Sequence, residues 1–195
     1  MKVEEYLPNF VGLSAIMTGY DANVLAPKID PLEDNSIAQQ YLRLMLAKAD
    51  NELFLAVLSL FGNIRAAFPL AQQDPWSWTA DTAQQVSQQV EAQIMIDDDM
   101  ASMLRRLVRL WYLATWYTNE PPDGDGQVVS EEAYKQGLAW PTFQAHPMGY
   151  SELDFGYWAS LPPTAATTPP APPILNTQSA TPPATESGGK QRGGV

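Results

Sequence analysis

The 195-residue chain predicts an all-α fold: a compact bundle of five to six helices, a long aromatic C-terminal arm and a disordered Pro-rich tail. Three observations carry that reading. Apolar residues recur at helical spacing through most of the first 138 positions, and no segment makes a compelling strand. Eleven of the twenty aromatic residues crowd into the 54 positions from Leu110 to Pro163. From Pro162 onward Pro, Thr, Ala, Ser and Gly take over, with Pro-Pro pairs at 162–163, 169–170, 172–173 and 182–183. Such a composition favours solvated polyproline conformations over a packed core. The expected organisation is a helical domain over 1–163, its arm occupying about 138–163, and a tail over 164–195.

Each element has a local reason. Val3 to Thr18 reads as a first helix, interrupted at Pro8 and stopped by Gly19. Asn35 or Ser36 can cap a second, whose stripe Ile37, Ala38, Tyr41, Leu42, Met45, Leu46, Ala49 is spaced for one helix face. Asp50 or Asn51 caps a third helix from Glu52 to about Ile64, almost wholly apolar. Asp74-Pro-Trp-Ser-Trp78 is a loop, with a further cap at Thr79 or Asp81. Thr82 to Ile96 follows as a Gln-rich helix with Val86, Val90 and Ile94 at intervals of four. Asp97-Asp-Asp99 opens the next helix, where the macrodipole favours negative charge. That helix is expected to reach about Tyr117, apolar all round in its second half and so buried on every side. Asn119 to Gly126 is a turn-rich connection. Ser130-Glu-Glu-Ala caps a short last helix ending near Leu138.

Composition closes off several classes of function. The formal net charge is −11, and residues 161–195 contribute +1, leaving −12 on the rest. A surface so acidic repels phosphate backbones and anionic lipid, so no nucleic acid is expected as a partner. The absence of cysteine excludes disulfides, thiolate zinc sites, iron–sulfur ligation and cysteine nucleophiles. The longest apolar run, Leu53 to Phe61, falls far short of the roughly 20 residues that cross a bilayer. The N-terminus shows neither a secretory pattern nor a twin-arginine pair. The chain is therefore expected neither to export nor to insert itself.

No catalytic constellation emerges either. Adjacent carboxylates on a helix point about 100° apart, so Asp97, Asp98 and Asp99 read as a dipole cap rather than a metal site. Asp123-Gly-Asp-Gly126 resembles the start of a calcium loop. Val128 stands where that loop needs glycine and Tyr134 where it needs glutamate. His146, the single histidine, precedes a proline without a serine or acid in register. No GxGxxG follows a strand, and the terminal Gly188–Gly194 lacks the strand and hydroxyl residue of a phosphate loop. Neither catalytic residue, bound cofactor nor bound metal is expected.

What remains is aromatic surface. Trp111, Tyr112, Trp116 and Tyr117 cover most of a helix circumference. The Leu107, Trp111, Ala114 line is expected to face the bundle core. The arm continues with Trp140, Phe143, Tyr150, Phe155, Tyr157 and Trp158. A long non-periodic segment this rich in aromatics must lie on something, its own helices or a partner. These ten residues are the candidate partner-binding set.

Four segments in order carry a resemblance. They are Phe10-Val-Gly-Leu-Ser-Ala-Ile-Met-Thr-Gly19, Leu107-Val-Arg-Leu-Trp-Tyr-Leu113, Ser130-Glu-Glu-Ala-Tyr134 and Gly156-Tyr-Trp-Ala159. Together they resemble the small subunits of bacterial membrane-bound, FAD-dependent sugar and alcohol dehydrogenases. That family includes the sorbitol and fructose dehydrogenase small subunits and the gamma subunit of FAD-dependent glucose dehydrogenase. The likeness spans roughly residues 9–163. It implies a non-catalytic, chaperone-like subunit that binds a glucose–methanol–choline-type large subunit and supports its maturation and export. FAD would then belong to the large subunit and haem c to a multihaem cytochrome subunit. The complex would be periplasmic and membrane-associated. This sequence departs from the pattern in lacking a twin-arginine signal, which leaves a cytoplasmic complex open, and in its Pro-rich tail. The alternative is a self-contained helical adaptor that recruits partners through that tail.

Overall fold

The computed structural model describes residues 3–27, 36–118 and 125–147. Five long helices dominate them: α1 (Val3–Thr18), α3 (Ile37–Lys48), α4 (Asn51–Ala66), α5 (Ala80–Gln93) and α6 (Asp98–Leu113). Three short ones, α2 (Ala22–Leu25), α7 (Glu131–Lys135) and α8 (Ala139–Thr142), sit at the joints. Single 3-10 turns, Leu70–Gln72 and Pro75–Ser77, join α4 to α5. The molecule is a mostly α-helical bundle, as the sequence predicts. The tail and most of the arm, residues 148–195, lie outside the described residues.

Caps set the starts. The Ser36, Asp50, Thr79, Asp97 and Ser130 side chains each accept a backbone N–H from the first turn of α3, α4, α5, α6 and α7. Each satisfies a donor that no helical carbonyl reaches. Asp97 in particular caps α6 through Met100 N at 2.9 Å, the role expected of an acid at a helix start.

Two expectations fail. Pro8 does not interrupt α1, which runs unbroken from Val3 to Thr18. A proline costs one backbone hydrogen bond there, and the helix persists because the residues that follow are core: Phe10, Val11 and Leu13 are fully buried. Nor does α6 reach Tyr117. It stops at Leu113, where Ala114 turns left-handed at φ 50°. The chain then forms a strand, β1 (Thr115–Tyr117), antiparallel to β2 (Gly126–Val128), with Thr115 opposite Val128 and Tyr117 opposite Gly126. The turn-rich stretch thus lies, in sequence, between two paired strands.

The core has α1 at its centre, packed on α3, α4, α5 and α6. An aromatic cluster ties four of these together. Phe10 stacks on Trp111 at 6.3 Å and meets Phe54 edge-on at 6.4 Å, while Tyr41 meets Trp111 edge-on at 4.9 Å. Offset and edge-on pairs of this kind add about 0.5–1.5 kcal/mol beyond the area they bury.

Candidate functional site

The aromatic residues at the end of α6 divide between core and rim. Leu107, Trp111 and Ala114 form the buried line, with Trp111 only 3% exposed. Trp116, on the inward face of β1, is 4% exposed and is covered by the Arg106 guanidinium 5.9 Å from its ring centroid. These two tryptophans are bundle core and offer no surface to a partner, which corrects their place in the candidate set. The second half of α6 is not buried all round either: Leu113 is 45% exposed.

Tyr112 and Tyr117 are half-buried. Tyr117 lies over Gly126, where an added Cβ would meet its ring at 2.7 Å, so that glycine serves the hairpin. The Tyr112 hydroxyl donates to Thr18 O at 3.2 Å, and its ring meets Tyr20 edge-on at 6.3 Å. Burial, reinforced by the neighbouring Tyr20, pushes the Tyr112 phenol above the ordinary tyrosine range.

The described beginning of the arm is fastened to the bundle rather than free. Leu138 N donates to Trp111 O at 3.0 Å, and Trp140 Nε1 donates to Tyr134 O at 2.7 Å with the two rings edge-on at 5.2 Å. Gly137 permits this approach, since a Cβ there would stand 3.0 Å from Tyr112 O. The Tyr20 and Thr142 hydroxyls then share a hydrogen bond of 2.8 Å across 122 residues of sequence. Immediately beyond, Phe143 projects 76% exposed and Gln144 adopts φ 53°. Of the arm's candidates, Trp140 is therefore an anchor and Phe143 is open to a partner. Tyr150, Phe155, Tyr157 and Trp158 lie outside the described residues.

Sequence reasoning missed the residues that hold the arm: Thr18, Tyr20, Tyr134 and Thr142. Tyr20 follows the helix stop at Gly19, a position from which a side chain leaves the helix axis, but nothing in the spacing links it to Thr142. Tyr20 also lines a cavity of about 370 Å³ between the end of α1 and α5. Its other walls include Trp78, Ala83, Gln84, Ser87, Gln88 and Glu91. Trp78 is braced from behind, its Nε1 donating to Gln72 O at 2.7 Å and its ring edge-on to Phe61.

Elsewhere the polar groups do structural work. Arg65 donates to Gln73 O and Asn9 Oδ1, fixing the loop after α4 to α1. His146 is exposed, with Nδ1 3.2 Å from the neighbouring Pro147 O. Among the described residues no group of three or more His, Cys, Asp or Glu is arranged to hold a metal. No described helix is long and apolar enough to cross a membrane. Two arginine atoms on α6, Arg106 Nε and Arg109 Nη1, are buried without an acceptor. No protein-family model matches the chain, and comparison with curated proteins and with solved structures finds no match.

Proposed function

We propose that this chain is a non-catalytic accessory subunit that binds and stabilises an FAD-dependent sugar or alcohol dehydrogenase of the glucose–methanol–choline type. In this reading the large subunit holds the flavin, a multihaem cytochrome c takes the electrons, and the assembled complex works at the periplasmic face of a membrane. The partner-binding surface is the arm, beginning at Phe143 and continuing through Tyr150, Phe155, Tyr157 and Trp158.

The observation that carries the proposal is the change in how aromatics are used along the chain. Up to Trp140 each large ring of the segment is packed or hydrogen-bonded within the bundle. At Phe143 a large ring is left in solvent, directly after the Tyr20–Thr142 fastening. An anchored root followed by an exposed ring and then by an aromatic-rich sequence suits a segment that wraps another protein, since aromatic anchors dominate interface energetics. Supporting it, two of the four segments that carry the family resemblance meet in space: Phe10 stacks on Trp111, and Tyr112 bonds to Thr18.

Co-expression with a flavoprotein of this class encoded beside the chain tests the reading. The two are expected to co-purify. The double substitution Tyr157→Ala, Trp158→Ala should weaken the complex at least tenfold while leaving the helical signal intact. Loss of that helical signal in the double variant would return those rings to the bundle core and remove the arm as a docking element.

A further inference from the structure

The cavity beside Tyr20 and the Pro-rich tail are the two features that the proposed function leaves unused, and their chemistry is complementary. Polyproline segments are recognised in aromatic-lined grooves whose side chains donate to backbone carbonyls left unpaired by the extended helix. The cavity has that make-up. Trp78 supplies a half-buried ring, and Ala80, Ala83 and Ser87 are small residues on the same face of α5 that leave the groove open. Gln84 and Gln88, one helical turn apart, carry amide donors on its rim. Both glutamine side chains are exposed, and neither makes a side-chain hydrogen bond among the described residues. The Trp78 indole N–H is already committed to Gln72 O, so the donors available to an occupant are the two amides.

An anionic occupant is disfavoured, because Asp21 and Glu91 border the cavity and no cation lines it. The tail carries no charged residue from Leu161 to Thr185, and its densest proline run is Pro169-Pro-Ala-Pro-Pro173. The described chain ends at Pro147, five residues after Thr142, whose hydroxyl touches the same Tyr20 that lines the cavity. From there, 22 residues to Pro169 can span up to about 70 Å fully extended, so the cavity is well within reach. A segment tethered this closely is presented at an effective concentration of order millimolar. A weak polyproline contact is then enough to fill the site.

We infer that the segment around Pro169–Pro173 of the same chain occupies the groove between the end of α1 and α5, through the ring of Trp78 and the amides of Gln84 and Gln88. This inference does not rest on the flavoprotein reading and would hold for a chain with any partner.

The absence of cysteine makes the test direct, using the full chain with one introduced pair. Ser87→Cys with Ala171→Cys places thiols in the groove and in the proline run. Ala47→Cys with Ala171→Cys is the control, on an exposed position of α3 that does not line the cavity. Oxidation is expected to give an intramolecular disulfide at least tenfold faster for the groove pair than for the control. Adding Gln84→Ala and Gln88→Ala, both at exposed positions, should remove most of that preference, with circular dichroism verifying that the bundle remains folded. Equal rates for the two pairs, a preference untouched by the glutamine substitutions, or cross-links that form only between molecules would each overturn the assignment.

Discussion

Gly12 shows how tightly single residues are specified. A Cβ at this position of α1 would stand 2.9 Å from Pro75 Cγ, 3.0 Å from Phe61 Cε1 and 3.2 Å from Trp78 Cη2. Gly12→Ala is therefore an overpacking change expected to cost about 1–3 kcal/mol, seen as a melting temperature lower by several degrees. An unchanged melt would mean that the Pro75–Trp78 turn does not pack on α1 as described. Two buried phenols give a pH signature. Burial raises the Tyr41 phenol well above the ordinary value of about 10, and Tyr112 is raised by burial together with Tyr20. Both contribute stability that is fully present below that ordinary value. It is lost as pH rises beyond it, because the unfolded chain ionises first. Denaturant titrations should thus show a steep alkaline loss above about pH 10, reduced in Tyr41→Phe. An identical alkaline profile for Tyr41→Phe would contradict the assignment.

At the scale of elements, helix starts were legible and helix ends were not. Ser36, Asp50, Thr79, Asp97 and Ser130 are short polar side chains placed before apolar stripes, a local signal that needs no tertiary information. The end of α6 is different. Leu-Trp-Tyr-Leu-Ala-Thr-Trp-Tyr reads as one apolar helix, yet Thr115-Trp-Tyr117 are β-favouring residues separated by a turn-rich stretch from Gly126-Gln-Val128, which is a hairpin pattern. Three-residue strands are too short for alternation to declare itself, and the left-handed Ala114 that divides helix from strand has no sequence mark. Pro8 misled for the complementary reason, since burial of the residues that follow outweighs its missing hydrogen bond.

The fastening of the arm belongs to the same scale. It joins α1 to α8 through a hydroxyl pair 122 residues apart, which no local pattern announces. Thr142→Val removes Tyr20's partner and is expected to cost about 1 kcal/mol. Because α8 lies outside the α1–α6 core, the effect should be local. Limited proteolysis beyond Gly137 should accelerate several-fold while the main melting transition stays put. An unaltered cleavage rate would show that the Tyr20–Thr142 contact does not hold the arm.

For the molecule as a whole, the sequence made the bundle readable because each long helix carries its own stripe and cap. The candidate site was only half readable. Ten aromatics were candidates for partner contact, and their composition alone could not separate Trp111 and Trp116, which the core claims, from Phe143, which it leaves in solvent. That distinction depends on where α6 stops and what covers it. The acidic surface, the packed core around α1 and an aromatic arm rooted at Thr142 fit a subunit whose work is done on another protein. The most direct measurement is the visible absorption spectrum of the chain purified alone and of the complex it forms when co-expressed with a flavoprotein dehydrogenase. The chain alone should show no flavin band, and the complex should show one in proportion to the large subunit. A stoichiometric flavin band retained by the chain on its own would contradict the central claim.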